Sequence, residues 1–186
     1  MARAENLTAE TLRQLLDYDP ETGILRWKKR TPEFFEDTVR RDAEQICNWW
    51  NKRFAGKIAG SLNKNGYIAL FVLNKWYRAH RIIWLWMTGS WPTIDVDHRD
   101  LSKSNNRWGN LREATQAQNR TNRNLRPDNT SGLKGVCWFK PQGKWRAAIQ
   151  ANKKRVFLGY FDTKDEAHAA YCDAAKRLHG EFARME

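Results

Sequence analysis

One short segment, residues 95–122, constrains the fold of this chain more than any other part of it. Residues 95–98 alternate polar and apolar side chains like the end of a strand, residues 99–107 read as a polar loop, and residues 108–113 are predicted to return as a second strand. Thr115 then opens a capping box, which predicts the start of a helix. The expected order is strand, loop, strand, helix.

Four polar side chains of this segment have the chemistry needed to cut a phosphodiester bond. Asp97 and Asn119 offer hard oxygen donors of the kind that hold a magnesium-like ion with open positions. His98 can take a proton from water near neutral pH, and the side-chain carbonyl of Asn110 can accept the other ring N–H and hold the imidazole in place. Each residue taken singly is more often structural, but their order within one segment indicates catalysis.

The segment resembles the HNH endonucleases, whose pattern of Asp-His, a loop, Asn-Leu and a final Asn is present as VDHRD, NNRWGNLREAT and QN. The resemblance implies a ββα-metal nuclease module with His98 as the general base and Asn110 as the residue that orients it. It also implies that Asp97 and Asn119 bind one Mg²⁺ or Mn²⁺ ion per active site. Hydrolysis would leave a 3′-hydroxyl and a 5′-phosphate.

Other polar residues near this segment have less specific patterns. Asp100, Asn105 and Asn106 are interpreted as turn-forming residues, although Asn106 matches a frequent asparagine of the family pattern. His80, at the start of a predicted apolar helix, is interpreted as structural rather than as a second base. The arginines expected to hold the DNA backbone here are Arg99, Arg107 and Arg112.

The last third of the chain carries a second pattern. A helix capped by Thr163 and Glu166 follows three strand-like runs, which read KGVCWFK, PQGKWRAAIQ and KKRVFLGYF. This tail resembles the ethylene-response-factor (APETALA-type) DNA-binding domain over residues 131–184. The resemblance implies a three-stranded antiparallel sheet with the helix packed on one face and DNA against the other.

Strand alternation divides the residues of this predicted sheet between its two faces. The residues expected on the helix side are Val136, Trp138, Trp145, Ala147, Ile149, Val156 and Leu158. The expected DNA-contacting residues of the tail are Lys134, Lys144, Arg146, Gln150, Arg155 and Phe157. Cys137, Phe139, Ala148 and Gln150 depart from the plant pattern, so the target sequence does not carry over.

The remaining segments connect or support these two modules. Residues 123–131 are polar, cationic and without a period, which predicts a basic linker. Arg120, Arg123 and Arg126 are expected to follow the DNA backbone, with a solvated tether as the alternative. Residues 1–60 are interpreted as an α/β segment with an inserted helix. Residues 61–122 then hold the nuclease module with a preceding hairpin and helix, and residues 132–186 hold the DNA-binding domain. The expected fold class is α+β.

Composition agrees with a nucleic-acid partner. The chain has 33 Lys and Arg against 21 Asp and Glu, a formal charge of +12, which favours phosphate binding. Its three cysteines are far apart without a CxxC pair, so we expect free thiols and no zinc knuckle. No apolar run has the length of a membrane span, and the polar start lacks the build of a signal peptide. A cytoplasmic location in a phage-infected bacterial host is expected.

These patterns predict a site-specific, metal-dependent homing-type endonuclease that acts on double-stranded DNA. A single active site per chain favours a monomer that nicks, although cutting of both strands stays open. The alternatives are a noncatalytic DNA-binding regulator with a decayed nuclease module and a structure-directed nuclease for packaging or repair. Intact Asp97, His98, Asn110 and Asn119 favour the enzyme.

Overall fold

The chain divides into two units that both mix helices and strands. The computed structural model describes residues 7–125, 127–151 and 154–185. The units are Met1–Glu113 and Ala114–Glu186. This confirms the α+β class, but the boundary lies ahead of the predicted linker at residues 123–131, at the last residue of the second strand of the candidate nuclease segment.

The first unit begins with a helix and a hairpin. Helix α1 (Ala9–Leu15) starts at Thr8, whose hydroxyl accepts a hydrogen bond from the Thr11 N–H, as its capping pattern predicts. Strands β1 (Leu16–Asp19) and β2 (Ile24–Trp27) pair antiparallel. The predicted inserted helix is α2 (Ala43–Phe54), shorter than its apolar pattern because a 3₁₀ turn, Pro32–Phe34, and a loop precede it.

A second sheet and an apolar helix follow. Strands β3 (Ser61–Leu62), β4 (Ile68–Val72) and β5 (Lys75–Arg78) form an antiparallel sheet in that order. Helix α3 (Ala79–Thr88) ends at Gly89, whose φ of 81° gives the left-handed cap that glycine favours. Strands β6 (Asp95–His98) and β7 (Leu111–Ala114) then form a two-stranded sheet, with a 3₁₀ turn, Trp108–Asn110, before β7.

A single apolar core supports these elements of the first unit. Each fully buried Leu or Ile contributes about 1.5–3 kcal/mol relative to an exposed side chain. The largest fully buried side chains are Leu12, Leu15, Leu16, Leu70, Ile82, Ile83, Leu85 and Val72. The helix α3 and the sheet that holds β4 are therefore fixed against the front of the chain.

The second unit starts with helix α4 (Gln116–Thr121), whose capping box joins Thr115 and Gln118 as predicted. Strands β8 (Val136–Phe139), β9 (Lys144–Ala151) and β10 (Lys154–Phe161) form an antiparallel sheet with β9 in the centre. Helix α5 (Lys164–His179) starts at the predicted Thr163 capping box and packs chiefly on β9.

The buried side of this sheet is largely as predicted. Val136, Ala147 and Ile149 are buried beneath α5, and Leu158 and Trp145 pack against the same core. The expectation was wrong for two residues on the edge strands, where the helix gives less cover. Trp138 is 46% exposed and Val156 is 39% exposed.

None of the helices in the described parts of the chain combines the length and the apolar character that a membrane span requires.

Candidate functional site

His98 lies at the end of β6, where it is only 4% exposed. Its Nε2 is 3.1 Å from the side-chain Oδ1 of Asn106. An amide oxygen can only accept, so the ring nitrogen in this pair carries the proton and the lone pair that can take a proton is on Nδ1. The contact with Asn106 therefore fixes the tautomer of the His98 ring.

Burial keeps the His98 imidazole neutral. It lowers the pKa of His98 below the ordinary 6.5, and the hydrogen bond from the ring to Asn106 and the nearby Asp100 and Asp97 offset this only in part. At neutral pH the ring is therefore uncharged. A neutral imidazole is the form that accepts a proton from water.

The front of the chain holds Asn106 in place. The Tyr18 hydroxyl donates to the Asn106 backbone carbonyl at 2.8 Å, and both residues are buried. Gly23, in the β1–β2 turn with a φ of 75°, has no room for a side chain, because a Cβ there would meet the backbone of Asn106 and Arg107 within 3.0 Å. Sequence patterns alone gave these two residues no role in the site, because the contacts are distant in the chain.

Asn110 organises the loop that precedes it. Its Nδ2 donates to Asp100 Oδ1 at 2.9 Å and to the Asn105 carbonyl at 2.8 Å, and its Oδ1 accepts from the Asp100 N–H. The contact to His98 Nε2 thus comes from Asn106 rather than from Asn110 as expected. Hydrogen bonds from Asn105, Asn110 and the Ser102 backbone outweigh the burial of Asp100 and hold the pKa of that carboxyl below its ordinary value.

Asp97 is held by an arginine. The Arg112 Nε and Nη2 donate to Asp97 Oδ2 at 3.2 and 3.1 Å, and both side chains are buried. The expectation that Arg112 holds the DNA backbone was therefore wrong, because its guanidinium points to this carboxylate inside the unit. The pair fixes the direction of Asp97 next to His98 on β6.

The donors present fit a hard divalent cation. The Arg112 Nε and Nη2 both donate to Oδ2 of Asp97, and a carboxylate has about four lone pairs on its two oxygens, so these two bonds use only part of its capacity as a ligand. Asn119 is partly buried on α4, in the second unit, and its approach to Asp97 stays a prediction. Among the described residues no group of three or more His, Cys, Asp and Glu could hold a metal. A carboxylate and an amide are each oxygen donors of the kind that a hard divalent ion accepts beside water and phosphate.

Two further rings lie against His98. The centroid of the His80 ring lies 5.1 Å from that of the His98 ring, with the two rings edge to face, and the centroid of the Tyr67 ring lies 6.1 Å from it. Burial is the main cause that lowers the pKa of His80 to about 3, and its buried Nδ1 has no hydrogen-bond partner in the described structure. His80 is therefore a neutral packing residue at neutral pH.

The outer face of the second unit's sheet is aromatic and cationic. Phe139 stacks on Tyr160 with centroids 5.1 Å apart, Phe157 lies 4.9 Å from Tyr160, and the Arg146 guanidinium lies over Phe139. Strand alternation missed Tyr160, because the β-bulge between Phe157 and Gly159 turns it to the outer face opposite Arg146. The glycine inside the strand was the available signal.

The other residues expected to contact DNA differ in their surroundings. Lys134 is partly buried, and its Nζ donates to the carbonyls of Thr121 and Arg123, both at 2.8 Å, so it fastens the end of α4 instead of facing outward. Burial is the main cause that lowers its pKa to about 8. Lys144 pairs with Asp162 at 3.1 Å. The exposed members of the set are Arg99, Arg107, Arg120, Arg123, Gln150, Arg155 and Phe157. Arg126 lies outside the described residues.

Two protein families match separate parts of the chain. The profile of the HNH endonuclease family matches residues 77–121, and the profile of the AP2 domain matches residues 131–181. The first match includes Asp97, His98, Asn106 and Asn119, and the second includes the three-stranded sheet and α5.

Curated relatives match over different parts of the chain. Protein 3.8 of Escherichia phage T7 is 34% identical over 111 residues, which is 58% of this chain and 89% of the phage protein. An uncharacterized HNH endonuclease of Acanthamoeba polyphaga mimivirus is 35% identical over 66% of this chain and 63% of its own length. An ethylene-responsive transcription factor of Arabidopsis thaliana is 43% identical over 60 residues, 31% of this chain and 23% of the plant protein. No solved structure matches.

Proposed function

Because this chain belongs to the family of phage T7 protein 3.8 and carries an HNH endonuclease domain and an AP2 domain, we propose that it is a metal-dependent DNA endonuclease. The observation that carries the proposal is the buried pair of His98 and Asn106 beside an Asp97 that Arg112 holds in place. A scaffold that fixes both side chains meets the requirement that catalytic groups be preorganised.

His98 acts as the general base in this proposal. With Nε2–H donated to Asn106, Nδ1 takes a proton from a water lined up behind the scissile phosphorus. The water oxygen forms the new bond to phosphorus as the bond to the 3′ oxygen breaks, and the leaving 3′ oxygen takes a proton from solvent. The products therefore carry a 3′-hydroxyl and a 5′-phosphate. Asn106 accepts the Nε2–H both before and after Nδ1 takes the proton, so the ring keeps its orientation during the step.

Asp97 and Asn119 are the proposed ligands of one Mg²⁺ or Mn²⁺ ion. When bound, a divalent ion stabilises the negative charge that develops on the phosphoryl and leaving oxygens. The role of Arg112 is to hold the Asp97 carboxylate in a fixed direction before the ion arrives. Exposed Arg99 and Arg107, on the loop between β6 and β7, are the proposed contacts to the DNA backbone of the cleaved strand.

The AP2 domain reads the DNA site in this proposal. Its outer sheet face combines Arg146 and Arg155 with the rings of Phe139, Phe157 and Tyr160, and a cationic face of this kind suits double-stranded DNA. A nuclease joined to a site reader is suited to a homing role, in which a monomer nicks or cuts near one recognised sequence.

The test is cleavage of supercoiled plasmid and end-labelled duplex DNA with Mg²⁺ or Mn²⁺, and with EDTA as the metal-free arm. A general base contributes about 100-fold to 10,000-fold in rate, so His98→Ala is expected to lose at least 100-fold in cleavage and keep its DNA affinity. Nicks with the proposed ends are resealed by DNA ligase without further treatment.

His179→Ala is the matched control, because His179 lies at the end of α5 in the second unit. It is expected to cleave like the native protein. In the same assay Asn119→Ala should need more Mg²⁺ for half-maximal cleavage. Wild-type cleavage in EDTA, or full activity of His98→Ala, would refute the proposed mechanism. DNA binding without cleavage under all conditions would instead favour a noncatalytic regulator.

A further inference from the structure

The middle of the chain is cationic and contributes no carboxylate side chain of its own. Residues 45–94 contain no Asp or Glu, although the chain has 21 of them, and they contain seven Lys and Arg. This stretch includes the sheet of β3, β4 and β5. A surface of one sign attracts a polyanion and repels a second copy of itself. Charge complementarity therefore points to nucleic acid as the partner of this sheet.

The β4–β5 hairpin presents large apolar side chains to solvent. Phe71 and Trp76 are cross-strand partners with ring centroids 5.4 Å apart, and they are 48% and 65% exposed. Leu73, in the turn that joins the strands, is 42% exposed. We call these three residues the hairpin patch. Contiguous exposed apolar side chains of this size usually mark a binding surface.

The backbone at the tip of the hairpin has positive φ angles, which disfavour leucine. Val72 pairs with Lys75, so Leu73 and Asn74 form a two-residue turn, with φ angles of 45° and 61°. Turns of this type favour Asn-Gly or Gly-Gly, and a residue with a Cβ held at positive φ costs about 1 kcal/mol or more. A strained, exposed leucine at a hairpin tip is therefore better explained by a binding role than by the stability of the fold.

The base of the same hairpin touches the proposed catalytic centre. Tyr67 directly precedes β4, and its ring contacts the rings of His98 and His80 at 6.1 and 5.2 Å. The Arg78 guanidinium and the Lys103 ammonium lie over the Tyr67 ring at 4.7 and 5.0 Å. At about 3.3 Å per residue, the tip at Leu73 is about 20 Å from this base.

We propose that the hairpin patch inserts into the minor groove of duplex DNA and opens a base step there. This inference rests on the proposed nuclease function, because the duplex that meets the patch is the one held at His98. Apolar side chains that wedge between base steps unstack them and bend the duplex. Leu73 is the wedge, Phe71 and Trp76 pack on the sugars beside it, and Lys75 reaches a phosphate. The opened step lies about six base pairs from the cut bond, at 3.4 Å per base pair.

The experiment measures DNA unwinding without cleavage. Closed circular plasmid is relaxed by a metal-independent topoisomerase in EDTA, with or without the protein, and the linking number is read on a gel. Insertion unwinds DNA, so the wild-type protein is expected to lower the linking number in proportion to the bound amount. Leu73→Gly suits the turn and keeps the fold, and it should lose at least half of the shift while still binding plasmid. Trp76→Ala should behave similarly.

Trp49→Ala is the matched control, because Trp49 is 48% exposed on α2 and lies outside the hairpin patch. It should unwind plasmid like the wild type. If the wild-type protein binds and cuts plasmid but leaves the linking number unchanged, the insertion proposal is overturned and the nuclease proposal stands. The same holds if Leu73→Gly lowers the linking number as much as the wild type does. If the wild-type protein is a dimer and Trp76→Ala is a monomer that unwinds plasmid equally well, the insertion proposal is overturned. The hairpin patch would then bind a second copy of the chain. Failure of the wild type to bind DNA overturns the nuclease proposal as well.

Discussion

At the scale of single residues, the contact between Asn106 and His98 has the most direct chemical consequence. Asn106→Ala removes the acceptor for Nε2–H, so the ring can populate the other tautomer and turn away. We expect kcat to fall about tenfold or more with little change in KM, because the asparagine does not touch DNA in the proposed mechanism. Asn124→Ala, an exposed asparagine of the second unit, serves as the control in single-turnover cleavage. An unchanged kcat for Asn106→Ala would contradict the assignment.

The order of residue types along the sequence was enough to identify the candidate nuclease segment, but it did not predict the contacts within that segment. Asn106 and Asn110 are both compatible with a role at His98, and only the backbone path of the loop brings Asn106 to the ring and leaves Asn110 with Asp100. Arg112 looked like a DNA contact because arginine is usually exposed. Its pairing with Asp97 depends on the alignment of β6 and β7, which local sequence does not specify.

At the scale of elements, the turn between β1 and β2 controls the loop that carries Asn106. Gly23→Ala places a Cβ against the backbone of Asn106 and Arg107, so the loop has to shift. Misplacement of catalytic groups by about 1 Å can cost about 100-fold in rate, and we expect at least a tenfold loss of cleavage. Gly56→Ala is matched in φ, at 77° against 75°, but meets nothing within 4 Å. It should lose stability of about 1 kcal/mol and keep its activity.

The same plasmid cleavage assay, with urea unfolding alongside, compares the two glycine variants. Equal activity of Gly23→Ala and Gly56→Ala at equal folded fraction would show that the turn has no part in the site.

The outer face of the β8–β9–β10 sheet makes a separate prediction about site recognition. Arg146→Ala combined with Arg155→Ala should reduce affinity for a cleaved target site more than affinity for unrelated duplex, because base-edge contacts carry sequence information and phosphate contacts do not. Each lost bidentate base contact costs about 1–3 kcal/mol. Lys164→Ala, at the start of α5, is the control in competition binding. Equal losses on both DNAs would argue against base reading by this face.

Elements with local signals were predictable, and the register of β10 was not. The capping boxes at Thr115 and Thr163 lie in the chain next to the helices that they start, so both helices could be placed from sequence. The bulge after Phe157 depends on the pairing with β9, and it reverses the face of Tyr160. Cover by α5 likewise depends on tertiary packing, which is why Trp138 and Val156 are more exposed than strand alternation predicted.

At the scale of the whole molecule, the charge of +12 predicts that DNA binding depends steeply on salt. A protein that contacts six to ten phosphates loses about a thousandfold or more in affinity between 50 and 200 mM salt. Binding releases counterions from the DNA, and this release becomes less favourable as the salt concentration of the solution rises. Filter binding over this range, with unrelated duplex, measures the slope. A flat salt response would exclude an extensive phosphate interface.

The anchoring of α4 by Lys134 has a consequence for how such a protein can acquire a new tail. The ammonium of Lys134 holds the carbonyls of Thr121 and Arg123, and the Thr121 hydroxyl reaches the Phe182 carbonyl. A genetic crossover after Thr121 would leave this short helix without its attachment. Exchange of the DNA-binding tail between related genes should therefore preserve folding when the junction falls near Ala114, so that α4 and Asn119 travel with the tail.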